Sequence, residues 1–157
     1  MKFEHLVEIN SPDNPLIAPL SRDQLWRGLV LRAETPTVFV PYLDVCNITE
    51  RTEVAISRQL KYGDLVIHDR VTFLMQHQIC FHVSAQKDFS DSTLTMTIEE
   101  PVPNALFVRF TYEDATADEG ADAMYNDFRR SAYRESDIDT IHIIRQLAAQ
   151  GRLDQAA

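Results

Sequence analysis

The segment Leu94-Thr-Met-Thr-Ile-Glu-Glu-Pro-Val-Pro-Asn-Ala-Leu-Phe-Val-Arg-Phe-Thr-Tyr112 carries the clearest folding signal in this chain. Apolar and polar residues alternate on both sides of Pro101-Val-Pro103, and this period of two predicts two antiparallel strands joined as a hairpin. The predicted register pairs Ile98 with Leu106, Met96 with Val108 and Leu94 with Phe110 on one face, and Thr95 with Arg109 on the other. One face of the hairpin is therefore apolar and needs another element to cover it.

Strand-like segments fill the chain upstream of this hairpin. Between residues 44 and 113, alternating segments with breaks at residues 49–52 and 62–64 predict a meander of six strands. Residues 2–10 alternate in the same way and predict one more strand at the start. Ser21-Arg-Asp-Gln24 has the spacing of a capping box and Thr35-Pro36 suits a helix start, so two short helices are expected after the first strand.

A long amphipathic helix is predicted after an acidic connector at residues 114–120. Its apolar residues recur at helical spacing until Gly151: Met124, Tyr125, Phe128, Ala132, Ile138, Ile141, Ile144, Leu147 and Ala148. Ser136-Asp-Ile-Asp139 has the spacing of a second helix start, and a solvated serine inside one continuous helix is the alternative.

The order of these elements predicts an α+β fold. A seven-stranded antiparallel sheet must curl, and only the last helix is long enough to cover its apolar concave face. A helix laid across a curved sheet can leave a gap near its middle, which suits a pocket. We therefore expect one domain over residues 1–151, with a pocket between sheet and helix, and a tail at residues 152–157.

Composition excludes several classes of function. The chain has 157 residues and a formal net charge of -9, so a phosphate backbone would find no basic surface and nucleic-acid binding is not expected. Apolar residues make up 45% of the chain, which suits a folded domain rather than a disordered acidic segment. No apolar run resembles a signal peptide or approaches the length of about 20 residues that a membrane span needs. We expect a cytoplasmic protein without integral membrane association.

Three segments together resemble a known family. They are Phe3-Glu-His-Leu-Val-Glu-Ile-Asn10, Leu25-Trp-Arg-Gly-Leu-Val30 with Arg32-Ala33, and Ile98-Glu-Glu-Pro101 with Leu106-Phe-Val-Arg-Phe-Thr-Tyr112. In these the chain is similar to the AtaL-like family of the START-like, helix-grip superfamily, which also contains plant-allergen-like proteins, polyketide cyclases and lipid carriers. The resemblance spans nearly the whole chain and implies the helix-grip fold, but it supplies no catalytic residues, because fold does not determine chemistry. The Gly-rich loop of the plant allergens is replaced here by Asn47-Ile-Thr-Glu-Arg-Thr-Glu53, so ligand modes that use that loop are not expected.

Asp69 is the strongest candidate for chemistry. Strand alternation places its carboxylate on the concave face with Ile67 and Val71. A carboxylate among apolar neighbours has a raised pKa unless it is paired, which suits a general acid or base, or an anchor for a polar group of a ligand. The alternatives are a bulge that turns Asp69 outward, or a buried partner such as a tyrosine hydroxyl or His5.

His5 and three tyrosines are further candidates. His5 lies on the apolar side of the first strand, where a hydrogen-bonded core residue and a catalyst are both open interpretations. Tyr112, Tyr125 and Tyr133 could point hydroxyls into the pocket or could be core rings with a solvated tip. Arg109 is expected on the convex face, in a solvent-facing ion pair with a carboxylate.

Metal and cofactor binding are not expected. Cys80 and His82 share a strand face and His77 is near them in sequence, but zinc needs three or four converging ligands and no motif completes the set. The chain also has no GxSxG, P-loop or GxGxxG motif, which argues against serine-hydrolase, nucleotide and dinucleotide chemistry.

Three functions are compatible with this sequence. The first is a carrier-like pocket that holds a small apolar or aromatic molecule without catalysis. Its expected lining is Phe3, His5, Trp26, Ile67, Asp69, Val71, Phe81, Met96, Val108, Phe110, Tyr112, Tyr125, Phe128 and Ala132. The second is an enzyme of the polyketide cyclase or aromatase type, in which Asp69, His5 and a tyrosine such as Tyr112 transfer protons. The third is an interaction module that forms a homodimer through a sheet edge or a helix surface.

Overall fold

The structure, a computed structural model, describes residues 1–86 and 89–154, and its elements follow the predicted order. The strands are β1 Lys2–Asn10, β2 Val45–Arg51, β3 Ala55–Tyr62, β4 Leu65–Leu74, β5 Gln78–Val83, β6 Ser92–Val102 and β7 Ala105–Asp114. The helices are α1 Arg22–Glu34, a single 3-10 turn at Pro36–Val38, and α2 Ala121–Ala149. Within the described residues, no helix has both the length and the apolar character of a membrane span.

All seven strands form one antiparallel sheet in the order β1-β7-β6-β5-β4-β3-β2. The chain meanders from β2 to β7, and β1 then pairs with β7 at one edge. One face of the sheet carries fully buried side chains, including Ile9, Ile56, Val71, Ile79, Val108 and Phe110. The predicted α+β helix-grip fold with seven strands and a long C-terminal helix is confirmed.

The predicted hairpin of β6 and β7 exists, but the predicted register differs from the observed one by two residues. Ile98 pairs with Val108, Met96 with Phe110, Leu94 with Tyr112, Thr95 with Thr111 and Thr97 with Arg109. The strands continue to Val102 and Ala105, so the turn contains only Pro103 and Asn104, with Asn104 at a left-handed φ of 70°. A bulge between Glu99 and Val102 shifts the register between the turn and the rest of the hairpin. A shift of two residues keeps every side chain on its predicted face, because side chains alternate with a period of two.

The helices α1 and α2 come into close contact at Gly28. A Cβ atom at Gly28 would lie 2.6 Å from Cγ2 of Ile144, so only glycine fits at this crossing. The helix α1 begins with the predicted capping box, because the Ser21 hydroxyl accepts from the backbone N–H of Gln24 and the Gln24 side chain accepts from the N–H of Ser21. Its buried side consists of Leu25, Trp26, Gly28, Leu29 and Ala33. The C-terminal half of α2 is thereby fixed against α1 and the core.

The helix α2 is continuous through Ser136, and the predicted apolar stripe is wrong for its first half. The buried residues recur at helical spacing, and those nearest the start of the helix are polar: Asn126, Asp137, Thr140, Ile141, Ile144 and Leu147. Several predicted stripe residues are exposed instead: Met124, Tyr125, Phe128, Ala132 and Ile138. Phe128, for example, is 75% exposed. The physical reason is that this half of α2 borders a cavity rather than a closed core, and its buried side chains Asn126 and Asp137 are held by hydrogen bonds.

The packed part of the chain continues after α2. Leu153 is buried in the core, and the Asp154 carboxylate accepts from the side chain of Gln24 at 3.4 Å. Arg27 also donates to the Asp154 carbonyl at 3.2 Å. Packing thus reaches residue 154, beyond the expected domain end at residue 151. Residues 155–157 of the expected tail lie outside the described residues.

Candidate functional site

A cavity of about 360 Å³ lies between the sheet and the first half of α2. Its apolar lining includes Val40, Leu43, Leu60, Ile67, Val83 and Leu94. Its aromatic rings are Tyr62, Phe81, Tyr112 and Tyr133. Its charged residues are Arg32, Arg58, Asp69, Glu113, Asp114 and Arg129. A second concavity shares part of this lining and extends it to Phe89, Ser90 and Tyr125, which places the mouth beside the start of α2.

Asp69 lies in this cavity and is paired with Arg58. The two residues are opposite each other on β3 and β4, and Arg58 donates from Nε to Oδ1 at 2.8 Å and from Nη2 to Oδ2 at 2.5 Å. Arg58 also donates to the carbonyl of Ala33 at 2.8 Å, and its guanidinium carbon lies 5.1 Å from the Phe81 ring centre. The pairing of β3 with β4 has no irregularity, so no bulge turns Asp69 outward. The alternative of a buried partner holds, with Arg58 in place of His5 or a tyrosine.

Arg32 enters the cavity from the last turn of α1. It follows Leu25 by seven residues and Leu29 by three, so it shares their inward side of the helix. Among the described residues, no hydrogen bond or ion pair engages its guanidinium, which lies 6.0 Å from the ring centre of Phe39. Burial, followed by the positive charge of Arg58, lowers the pKa of Arg32. Arg32 is therefore a cation that faces the cavity without a counter-charge from those residues.

Tyr112 connects the cavity to a buried hydrogen-bond chain. Its ring stacks on Tyr133 of α2, with ring centres 3.9 Å apart, and its hydroxyl donates to Oδ1 of Asp137 at 2.5 Å. Nδ1 of His5 lies 3.2 Å from Oδ2 of the same carboxylate. Desolvation raises the pKa of Asp137 to about 6, against the opposing hydrogen bonds of Tyr112 and His5. Desolvation and the charge of Asp137 raise the pKa of Tyr112 far above its ordinary value, so Tyr112 is a neutral phenol.

A second ion pair holds the start of α2 at the mouth of the cavity. Arg129 pairs with Asp114 at the end of β7, and it also donates to the hydroxyl of Tyr133 at 3.1 Å. Burial alone would raise the pKa of Asp114, but hydrogen bonds from Arg129 and Thr116 hold it well below its usual range. These polar contacts, together with the stacking of Tyr133 on Tyr112, attach this half of α2 to the sheet.

Comparison with protein families gives one match that spans most of the chain. The profile of AtaL, described as acetylaranotin biosynthesis cluster protein L, matches residues 7–151. The chain belongs to the AtaL family. No match was found among curated protein sequences.

Solved structures with the same fold include two aromatase/cyclases and a human protein. The di-domain ARO/CYC StfQ from the steffimycin pathway has a TM-score of 0.68 at 10% identity, over 95% of this chain and 51% of that one. The Zhui aromatase/cyclase from Streptomyces sp. R1128 has a TM-score of 0.61 at 12% identity, over 99% and 96%. Human STARD10 has a TM-score of 0.64 at 9% identity, over 98% and 66%. These similarities show the START-like fold, and the AtaL-family chain spans about half the length of the di-domain protein.

The structure brings part of the predicted ligand-binding set to the cavity of this AtaL-family protein. The residues that line it are Ile67, Asp69, Phe81 and Tyr112. Those in the core instead are Phe3, Trp26, Val71, Met96, Val108 and Phe110. Tyr125 lies at the mouth, and Phe128 and Ala132 lie on the exposed side of α2. Apart from Trp26, which lies on α1, these core residues are on the predicted sheet face, but they are buried in the hydrophobic core and do not line the cavity.

The catalytic candidates are only partly brought together. Asp69 and Tyr112 share the cavity, whereas His5 lies behind Tyr112 and reaches it through Asp137. Arg109 lies away from the cavity and donates to Glu99 at 2.5 Å, in the predicted surface ion pair.

Sequence reasoning missed four polar residues of this site, and each had a signal. Arg58 lies two residues from both Ile56 and Leu60 on β3, so all three side chains point to the inward face. Tyr62 continues that alternation into the cavity. Arg32 and Asp137 both occupy inward helical positions, but a search for apolar stripes passes over charged residues.

Proposed function

We propose that this protein binds a small aromatic or apolar molecule in the cavity between the sheet and α2. The observation that carries the proposal is the cavity itself, because about 360 Å³ stays open between the sheet and α2, next to the hydrophobic core. Its size falls within the range of about 300–1,000 Å³ that is typical of small-molecule pockets.

The lining suits an aromatic guest. The stacked rings of Tyr112 and Tyr133 and the ring of Phe81 offer flat apolar surfaces, and Ile67 and Leu94 add aliphatic contacts. A few polar groups among apolar neighbours are what orients a ligand in such a pocket. The aromatase/cyclases with this fold and the family's description as a biosynthesis cluster protein support a small-molecule guest.

Filling the cavity tests this proposal. Val83 lines both the cavity and its mouth, so Val83→Trp should place an indole in the space of the ligand. Val102→Trp, in the exposed β6 end and outside this lining, is the matched control. We expect native mass spectrometry of protein purified from its host to show a bound small molecule with wild type and Val102→Trp, and none with Val83→Trp. Equal occupancy in all three proteins would place the ligand elsewhere and refute the proposal.

A second candidate, proton-transfer catalysis of the cyclase or aromatase type, is favoured by the chain Tyr112–Asp137–His5. A ligand hydroxyl or acidic C–H group beside Tyr112 could give its proton to the phenol oxygen while the phenol proton passes to Asp137. The pKa of about 6 at Asp137 suits a group that accepts and returns a proton near neutral pH. Asp69 lines the same cavity, but both of its oxygens already accept hydrogen bonds from Arg58.

Deuterium exchange into a bound ketone separates the two candidates. Acetonaphthone in deuterated buffer should exchange its methyl protons faster with wild-type protein than in buffer, and Tyr112→Phe should abolish the acceleration while retaining binding. NMR measures both the exchange and the binding. Binding of acetonaphthone without accelerated exchange would reject catalysis and leave the carrier function in place.

A further inference from the structure

We infer that the ligand of the cavity has an apolar or aromatic body that ends in a carboxylate, and that Arg32 is the residue that binds this carboxylate. The inference rests on the proposed binding function and adds to it the charge of the ligand and its anchor.

The charges of the cavity lining point to Arg32. The paired residues are Arg58 with Asp69, Arg129 with Asp114, and Glu113 with Lys2. Arg32 is the charged lining residue that has no ion pair among residues 1–86 and 89–154. The chain has a net charge of -9, yet the charge left open inside the cavity is positive. An anionic group of a ligand would complete the set.

Tyr62 is placed to assist Arg32. Its side chain lines the same cavity, and within the described chain its hydroxyl has no hydrogen-bond partner. Burial raises the pKa of Tyr62, so the phenol remains a neutral donor. The cavity lining therefore offers N–H donors from Arg32 and an O–H donor from Tyr62 to an acceptor group of a ligand.

The other ionisable neighbours of Arg32 do not take this role. They are Arg58, Tyr112 and Asp137. Arg58 is a cation held by Asp69, Tyr112 donates its proton to Asp137, and Asp137 forms no ion pair with Arg32.

Arg32 is half-buried at the cavity wall, and a ligand carboxylate can form two parallel N–H···O bonds with its unpaired guanidinium. The position of Arg32 in the last turn of α1, where the helix dipole favours a cation, stabilises its charge in the empty cavity. The stacked rings of Tyr112 and Tyr133 lie in the same cavity and suit the apolar body of the ligand.

Matched acids and amides test the inference. The probes are naphthoate with naphthamide and biphenyl carboxylate with biphenyl carboxamide, titrated by calorimetry at neutral pH into wild type, Arg32→Gln and Arg27→Gln. Arg27 lies on the same helix but outside the cavity lining, so its variant removes the same charge as a control. We expect wild type and Arg27→Gln to bind each acid at least about tenfold more tightly than its amide, as charge-assisted hydrogen bonds allow. Arg32→Gln should lose this preference while retaining amide binding.

The outcomes separate this inference from the proposed function. Equal affinity for acid and amide in wild type overturns the inference alone, and this comparison does not depend on any variant folding. A preference that persists in folded Arg32→Gln also overturns it. If none of the four probes binds to wild type, the proposed function fails and the inference fails with it.

Discussion

Asp69 and Arg58 form an ion pair that water hardly reaches, with side chains 3% and 4% exposed. Asp69→Asn keeps the shape of the side chain but leaves the guanidinium of Arg58 without a counter-charge. We expect the free energy of unfolding to fall by about 3–5 kcal/mol, the usual effect of breaking a buried pair. Urea denaturation at pH 7 measures this change.

The surface pair between Arg109 and Glu99 is the control for that experiment. Both side chains are 35% exposed, so Glu99→Gln should cost less than about 1 kcal/mol. Similar losses in Asp69→Asn and Glu99→Gln would show that burial of the Arg58 pair has no special effect on stability.

Asp137 makes stability depend on pH in a predictable direction. Burial raises its pKa from 3.8 to about 6, so the folded chain binds this proton more tightly than the unfolded chain. The resulting stabilisation is fully present below about pH 4 and is lost as the pH rises through about 6. The difference between the two pKa values corresponds to about 3 kcal/mol.

Asp137→Asn should remove this dependence, because the amide oxygen still accepts from Tyr112 but does not titrate. Relative to wild type, the variant should gain up to about 3 kcal/mol in the free energy of unfolding between pH 4 and pH 7. Urea denaturation across this range measures the difference, with exposed Asp139→Asn as the control. Parallel profiles of Asp137→Asn and wild type would contradict the raised pKa.

The inward direction of Asp69 was predictable from strand alternation alone, but its partner required a register. The turn at Gly63 and Asp64 contains two residues, so Tyr62 must pair with Leu65. Counting back along both strands from that pair places Arg58 opposite Asp69. The turn is visible in the sequence, and the ion pair follows from it only when the pairing is counted along both strands.

At the scale of elements, the contact between α1 and α2 depends on Gly28. Gly28→Ala introduces a methyl group 2.6 Å from Cγ2 of Ile144, a buried and branched side chain with little freedom to move. We expect a loss of about 1–3 kcal/mol, which is typical of overpacking. Thermal or urea unfolding measures it.

A double variant shows whether this contact is the cause. Ile144→Ala removes the atoms that a Cβ at Gly28 would meet, so Gly28→Ala should cost much less in that background than in wild type. Additive losses in the double variant would mean that the helices are not limited by this crossing.

The helix α2 shows where pattern reasoning succeeds and fails. Its length and its buried C-terminal residues Ile141, Ile144 and Leu147 follow from apolar spacing. In its first half two stripes compete, an apolar one that includes Phe128 and a polar one that includes Asn126. The polar stripe is buried because it borders the ion pairs and tyrosines of the cavity. The spacing of apolar residues does not predict which of the two stripes is buried.

At the scale of the whole molecule, element order and face assignment were predictable, because the hairpin and the long helix leave few ways to cover an apolar sheet. The shape and polarity of the cavity were not. They arise where β3, β4, β7, α1 and α2 each contribute a polar side chain, and such convergence depends on tertiary placement. Arg32 illustrates this, because its segment predicts only the last turn of an amphipathic helix and gives no sign of a cavity beside it.

The central claim is that the space between the sheet and α2 holds a small molecule, and an NMR shift map with naphthoate tests it most directly. We predict the largest amide shifts at cavity-lining Arg32, Asp69 and Tyr112. A separate surface groove is lined by residues of α1 and by Met75 and Gln76, and we predict no shifts there. Saturable shifts centred on that groove, or no saturable shifts at all, would contradict the claim.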